Sequence, residues 1–317
     1  MIASSYSPTM HTKRNRGEYP HFEISGEIAQ ALDQNAPVVA LETCVVARGL
    51  PRPMNLETAQ QLELLVRREG ATPATIGVLG GQIKVGLSGE ELEHMATERE
   101  VRKVSRRELP IVAALGLDGA TTVAATLCVA HRVGIEVLAT GGIGGVHLRH
   151  PFDVSADLPE IASTSSVVVC AGAKSILDLP RTVEWLETHA VPVLGYGTDR
   201  FPNFYSRDSG LPVSARVDTP DEAARIIQTK RDLGLEGGIL LAVPIPETDE
   251  VPPSTIESVL NEALSLAQEQ GIMGQPLSPF LLERIAELTN GASVKANVAL
   301  LKNNVIIAAR VARALAA

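Results

Sequence analysis

A single lysine stands in an otherwise apolar stretch, Val167-Val-Val-Cys-Ala-Gly-Ala-Lys174-Ser-Ile-Leu-Asp178. The strand-like run before it ends in small residues and delivers one amine to the carboxyl end of a sheet strand, where open α/β sheets build their sites. Apolar surroundings disfavour the charged form of an amine, and a neutral amine is a nucleophile toward sugar carbonyls. The alternative is a lysine that snorkels from a strand end into solvent.

Other strand ends carry chemistry too. Glu42 follows a short buried run over residues 37–41, at its carboxyl end. Lys103 belongs to a strand-like run over residues 101–104, followed by Ser105-Arg106-Arg107, which suits a phosphate or a solvated turn whose arginines pair with Glu108 or another carboxylate. A third run ends in Thr140-Gly-Gly-Ile-Gly-Gly145-Val-His147. Its spacing is neither a dinucleotide fingerprint nor a P-loop; its physical content is close backbone approach, to an anion, to a ring or within a tight turn.

Asp153-Val-Ser155-Ala-Asp157 places two carboxylates and a hydroxyl in five residues, oxygen donors that suit a hard cation such as Mg²⁺ or Mn²⁺. Asp157 alternatively caps a helix beginning near Leu158. Asn297 lies on an apolar final helix, as a buried hydrogen-bonded amide or a solvent-facing one, and Asn303-Asn304 carries the same ambiguity. If the strands are parallel neighbours, their sites meet on one edge of the sheet.

The elements that must position these groups alternate. Strands are expected over residues 37–41, 74–79, 82–86, 101–104, 136–139, 167–170, 191–195 and 238–243. Helices are expected over 55–68 with Asn55 as N-cap, from Ser88 with a capping box, over 121–133, over 175–188 with a disturbance at Pro180, and over 219–233. Three more close the chain, over 253–270, 278–288 and 292–316, and a loop over 200–214 is placed to cover a site. The fold class is α/β, a three-layer α/β/α arrangement with a largely parallel or mixed central sheet and a helical carboxyl-terminal part. No repeat or low-complexity linker divides the 317 residues, so one domain is expected over 21–317, after a disordered arm over 1–20.

Composition agrees. Aromatics are 3% of the chain, so the core must be Val, Ile, Leu and Ala, which suits a sheet buried on both faces. A net charge of −9 without a basic tract argues against a nucleic acid polymer as partner. Cys44, Cys128 and Cys170 are odd in number and widely spaced, against a disulfide framework or structural zinc and for a reducing cytoplasm, with Cys170 a buried packing residue. No apolar stretch reaches membrane-spanning length.

Taken together, the blocks Val39-Ala-Leu-Glu42, Lys103-Val-Ser-Arg-Arg107, Gly119-Ala-Thr-Thr-Val-Ala124, Ala139-Thr-Gly-Gly-Ile-Gly-Gly-Val-His147, Phe152-Asp-Val-Ser-Ala-Asp-Leu158, Val169-Cys-Ala-Gly-Ala-Lys-Ser-Ile-Leu-Asp178, Pro279-Phe-Leu-Leu282 and Lys295-Ala-Asn297 resemble the indigoidine synthase A-like family, the pseudouridine-5′-phosphate glycosidases. The resemblance runs over nearly the whole chain. It implies reversible cleavage of pseudouridine 5′-phosphate to ribose 5-phosphate and uracil by a Mn²⁺-dependent homotrimer. Its Schiff-base lysine falls on Lys174, its proton-transferring glutamate on Glu42 and its metal aspartate on Asp153. Its substrate contacts fall on Lys103, Val123, Ser155, Ala156 and Asp157, with His147 and Asn297 at further pocket positions. Two departures stand out: Glu42-Thr43-Cys44 where relatives have Glu-Ser-Thr, and Arg48 where a histidine precedes glycine. A class I aldolase-like enzyme on another sugar phosphate, and a non-catalytic nucleotide-binding protein, are the rival readings.

Overall fold

A computed structural model describes residues 19–148, 150–274 and 276–317. The arm expected over residues 1–20 lies outside the described residues as far as residue 18. The chain runs β1 (Phe22–Ile24), α1 (Gly26–Asp33), β2 (Val38–Glu42), a π-helical turn (Val45–Gly49), α2 (Met54–Arg68), β3 (Thr72–Leu79), β4 (Gln82–Val85) and α3 (Gly89–Thr97). It continues with β5 (Arg102–Val104), α4 (Leu109–Ala114), β6 (Gly119–Thr121), α5 (Val123–Val133), β7 (Val137–Ala139), β8 (Val146–His147), β9 (His150–Val154) and α6 (Asp157–Ser163). Then follow β10 (Val167–Cys170), β11 (Leu177–Asp178), α7 (Leu179–Thr188), β12 (Val193–Tyr196), β13 (Ala215–Val217), α8 (Pro220–Asp232) and β14 (Ile239–Ala242). The helices α9 (Pro253–Glu269), α10 (Leu277–Leu288) and α11 (Ala292–Ala316) complete it.

The central sheet is mixed. Its parallel body has the order β3-β2-β7-β10-β14-β12-β13, and β4 joins β3 antiparallel through the Gly80-Gly81 turn. Every residue of β2, β7, β10 and β14 is buried, because helices cover both faces. On one face α11 crosses β2, β7 and β10 with α2 and α8 at its flanks; α5, with α6 beside it, packs against β2, β3 and β7. One apolar cluster extends from Ile28 to Ala312, and Cys170 is wholly buried within it. A separate three-stranded antiparallel sheet, β11-β8-β9, stands beside the main one. No helix among the described residues is long and apolar enough to cross a membrane.

The order of the strands decides where a site can form. From β2 the chain moves outward to β3; from β7 it moves the opposite way, to β10. The β2–β7 junction is thus a topological switch point, outside whose carboxyl ends a crevice opens.

Four local expectations are corrected. Asn55 does not cap α2; the helix begins at Met54, and Asn55 is buried inside its first turn, its Nδ2 donating to Val46 O (2.8 Å) and Ala96 O (2.9 Å). The helix expected over 175–188 begins only at Leu179, after the short strand β11. Pro180 falls in its first turn, where its missing N–H is harmless, and Asp178 caps it. The helix expected from Thr121 starts at Val123, because the Thr122 hydroxyl accepts from Ala125 N. Finally, β5 is not a neighbour of the strands that carry Glu42 and Lys174; it pairs with β6, which is antiparallel to β3. The Ser88 capping box is present as expected.

Asn55 ties the π-helical turn to α3 through two backbone carbonyls that nothing else in its reach would satisfy once the amide is gone. Asn55→Ala is expected to lower stability by about 2 kcal/mol, measured by urea unfolding.

Candidate functional site

A cavity of about 360 Å³ opens at the carboxyl ends of β2, β7 and β10. All ten residues singled out in the sequence line it. Glu42 ends β2 and Lys174 stands four residues beyond β10. Lys103 comes from β5, Val123 from the first residue of α5, and His147 from β8. Asp153, Ser155, Ala156 and Asp157 come from β9 and the start of α6, and Asn297 from α11. A second cavity of about 380 Å³, between α8 and the start of β14, is lined mainly by apolar residues such as Ile226, Leu233 and Leu235 and holds none of the ten.

Lys174 is placed by backbone bonds on both sides. Its N–H donates to Ile143 O (3.1 Å), Ile143 N donates to Gly172 O (3.1 Å), and Ala171 N donates to Gly141 O (2.8 Å). The glycine-rich run therefore extends alongside the lysine segment as if the sheet continued past its ends. Gly172 has φ +83°, and a methyl group there would lie 2.3 Å from Pro202 O. Only glycine allows the turn that brings Lys174 back to the cavity. Phe204, at φ +53° and 2% exposed, packs over this turn and donates its N–H to Ala171 O (3.1 Å). A bulky residue in that backbone region is strained, and the loop expected over 200–214 holds it beside the cavity.

Glu42 is 8% exposed. Burial holds its carboxyl above the ordinary glutamate range; Lys174, a hydrogen bond from Thr140 Oγ1 and Lys103 pull it back, while Asp157 pushes it up. A carboxyl so placed retains its proton to higher pH and is suited to donate it. Behind it, Thr43 Oγ1 donates to Ile76 O (2.9 Å) and accepts from Thr121 N (2.9 Å), so the Thr43 hydroxyl ties β2 to β3 and β6 rather than facing the cavity. Cys44 does line the cavity, but burial, then Glu42, push its thiol up to about 11, which leaves it a weak nucleophile near neutral pH. Arg48 donates to Val101 O (2.5 Å) across the cavity rim.

Asp157 is not the cap of its own helix. Its Oδ1 accepts from Ala124 N (2.9 Å) at the start of α5, and its Oδ2 from Gly144 N (2.8 Å) in the glycine-rich run. Both oxygens are thus engaged by backbone. A methyl group on Gly144 would lie 2.1 Å from Ser155 Oγ, so the glycine is there for close protein packing. Of the Ser105-Arg106-Arg107 alternatives, the carboxylate pairing is present: Arg106 pairs with Glu160 and Arg107 with Glu108.

No cluster of three or more His, Cys, Asp or Glu that could cage a metal occurs among the described residues. Asp153 is half-buried and lines the cavity. With Asp157 committed to backbone N–H groups, the donor set fits a hard cation held by one carboxylate and waters, the mode Mg²⁺-like ions favour.

Sequence reasoning gives Thr140 no role of its own and leaves Asn304 open between buried and solvent-facing. Thr140 follows β7 directly, and Asn304 Nδ2 donates to Thr140 O (2.8 Å) and Gly141 O (3.2 Å). A hydroxyl residue between a buried strand and a glycine run was the signal for the first. For the second, the position on the sheet-facing side of α11 was the signal.

The family model for indigoidine synthase A like proteins matches residues 27–314. The chain belongs to this family. Curated relatives of the family named pseudouridine-5′-phosphate glycosidase include one from Caldanaerobacter subterraneus, 54% identical over 92% of this chain and 95% of the relative, and one from Staphylococcus aureus, 49% identical over 92% and 96%. Among solved structures, the prealnumycin C-glycosynthase AlnA in complex with ribulose 5-phosphate superposes with a TM-score of 0.87 at 40% identity, over 94% of this chain and 98% of that one. An indigoidine synthase A-like protein from Thermotoga maritima gives 0.86 at 41%, over 93% and 97%. The sequence resemblance and the α/β class with its mixed sheet are thus borne out.

Glu42 has a linkage consequence. Because its folded-state pKa is raised, the stability it contributes is fully present below the ordinary glutamate value and is lost as pH rises through the folded-state value. Glu42→Gln, neutral at every pH, is expected to melt above wild type at about pH 8, with the gap closing toward about pH 4. Calorimetric Tm values across that range check the sign.

Proposed function

We propose that the protein reversibly cleaves the carbon–carbon glycosidic bond of pseudouridine 5′-phosphate, giving ribose 5-phosphate and uracil through an imine on Lys174. The observation that carries this reading is the meeting of Lys174 and the buried Glu42 carboxyl in one cavity at the β2–β7 switch point. The names of the curated relatives support the substrate, and the ribulose 5-phosphate bound by AlnA supports a pentose-phosphate pocket.

An ordinary glycosidase protonates a leaving heteroatom; here the leaving atom is C5 of uracil, which has no lone pair to protonate. Glu42 gives its proton to the ribose ring oxygen as the C1′–O4′ bond breaks, and the Lys174 nitrogen bonds to C1′ and sheds a proton. A proton then adds to uracil C5. The C1′–C5 electron pair re-forms the uracil C5–C6 double bond while the nitrogen lone pair makes C1′=N. Water adds to the imine carbon, and the Lys174 amine departs with a proton to leave ribose 5-phosphate. Lys103 supplies positive charge for substrate oxygens, and Val123 N, at the open end of α5, is a donor for an anionic group. Asp157 holds the glycine-rich run against α5 instead of moving protons.

The reading includes Mn²⁺ held by Asp153 and waters, which supplies positive charge for the phosphate when bound. It also includes homotrimeric assembly in the cytoplasm. Three free cysteines suit a reducing compartment, and the fully exposed Phe152 beside Asp153 is an apolar side chain for a subunit contact to cover.

Incubation with pseudouridine 5′-phosphate and Mn²⁺, then borohydride, is expected to release uracil and trap a sugar adduct on Lys174. Lys174→Ala gives neither product; an active Lys174→Ala enzyme would falsify the covalent route. Glu42→Gln lowers kcat by about 10²–10⁴-fold, and whether it still traps the adduct assigns the proton to the late step or to ring opening. Chelation abolishes turnover and Mn²⁺ restores it. Asp153→Asn raises the Mn²⁺ needed for half-activation by about 10-fold or more, and unchanged Mn²⁺ binding in that variant, read by electron paramagnetic resonance, removes Asp153 from the metal.

A further inference from the structure

Asn304 is 0% exposed in the middle of α11. Its two amide donors go to Thr140 O and Gly141 O, while its Oδ1 is buried with no hydrogen-bond partner among the described residues. A buried orphan acceptor opposes folding, and a leucine would fill the same space without one. The orphan oxygen offsets part of what the two amide bonds contribute.

Thr140 and Gly141 continue β7 at the switch point. Thr140 N donates to Val169 O (3.0 Å) on β10, and Gly141 O accepts from Ala171 N as well as from Asn304. From this fixed backbone the Thr140 hydroxyl, 2% exposed, donates to Glu42 Oε1 across the gap between β7 and β2. The polar chain thus runs from the last helix, through one strand end, to the carboxylate on the next. Gly141 lets the helix come close enough: a methyl group there would lie 3.2 Å from Leu300 and 3.3 Å from Asn297 Oδ1.

We propose that Asn304 is a positioning residue for proton transfer: by clamping the Thr140 and Gly141 carbonyls it fixes the Thr140 hydroxyl on Glu42 and so sets the carboxylate against Lys174. This rests on the reading of Glu42 as the proton carrier. The charged and titratable groups that face Glu42 are Lys174 after β10, Lys103 from β5, Asp157 from α6 and Cys44 after β2. The Thr140 hydroxyl bonds to Glu42 and the Asn304 amide to backbone carbonyls, neither to any of these other groups, so a change in Glu42 titration reports the clamp.

The experiment compares Asn304→Leu, Thr140→Val, their double and Thr140→Ser with wild type. In the substrate-free enzyme, ¹³C-glutamate infrared difference spectra against Glu42→Gln read the Glu42 carboxyl directly. Asn304→Leu and Thr140→Val should each move its titration to higher pH, since a donor to the carboxylate is lost or loosened. With substrate, each should lower kcat by about 10-fold with little change in KM, and the double should be no worse than Thr140→Val alone, because one residue acts through the other. Thr140→Ser, which keeps the hydroxyl, should stay near wild type. A wild-type titration and kcat in Asn304→Leu, or losses that multiply in the double, would overturn the proposal. If Asn304→Leu does not fold, Asn304→Ser removes the same two bonds and is read identically. A wild-type enzyme that releases no uracil sinks the reading of the activity, yet the infrared arm still decides the clamp.

Discussion

The structure turns on one desolvated carboxylate. Glu42 ends a strand whose every residue is buried, at the point where the sheet's winding reverses. Taking a carboxylate out of water disfavours its charge strongly, and the surroundings compensate only in part, with Lys174, Thr140 and Lys103. Too little compensation would leave a permanently neutral acid; too much would leave a carboxylate unable to give a proton. The acid therefore cannot be placed independently of the amine, since the nearby Lys174 offsets part of the cost of burying its charge.

That coupling demands rigid placement, and the fold supplies it through backbone. Lys174 follows a glycine turn that is pinned by Ile143 on one side and packed under the strained Phe204 on the other. Glu42 is backed by the Thr43 hydroxyl, which ties β2 to β3 and to β6. Thr43 is wholly buried, methyl group included. The helix α11 spans both halves of the site, with Asn297 at the cavity and Asn304, about two turns further, at the strand ends beneath it. A long carboxyl-terminal helix is thus part of the cavity wall as well as a cover for the sheet.

Most of the site was legible because strand ends announce themselves. A buried apolar run followed by a charged or glycine-rich residue marks where a side chain leaves the sheet, and Glu42, Thr140 to Gly145 and Lys174 all follow that pattern. What was not legible depended on partners distant in sequence. Asn55 looks like a helix cap until the π-helical turn and α3 place two carbonyls at its amide. Asn304 looks solvent-facing or buried with equal reason, because its partners lie more than 160 positions away. Lys103 reaches the cavity by a route the strand alternation does not suggest, through β5 and the antiparallel β6. Pro180 reads as a disturbance only if the helix begins at Ser175, with the two residues of β11 counted in it.

Asp157 and Glu42 show why residue type alone does not assign a role. Both are carboxylates, both are at most 8% exposed, and both line the same cavity. Each oxygen of Asp157 accepts a backbone N–H, one at the start of α5 and one in the glycine-rich run. Glu42 accepts a hydroxyl on one oxygen and otherwise meets side chains that a substrate can displace or engage. An acid whose two oxygens hold the backbone of the site together cannot take or give a proton without loosening the site. One held by a single hydroxyl can. Under the proposed reaction, the division between a structural carboxylate and a reactive one follows from who donates to them, and moving either donor set would move the chemistry with it.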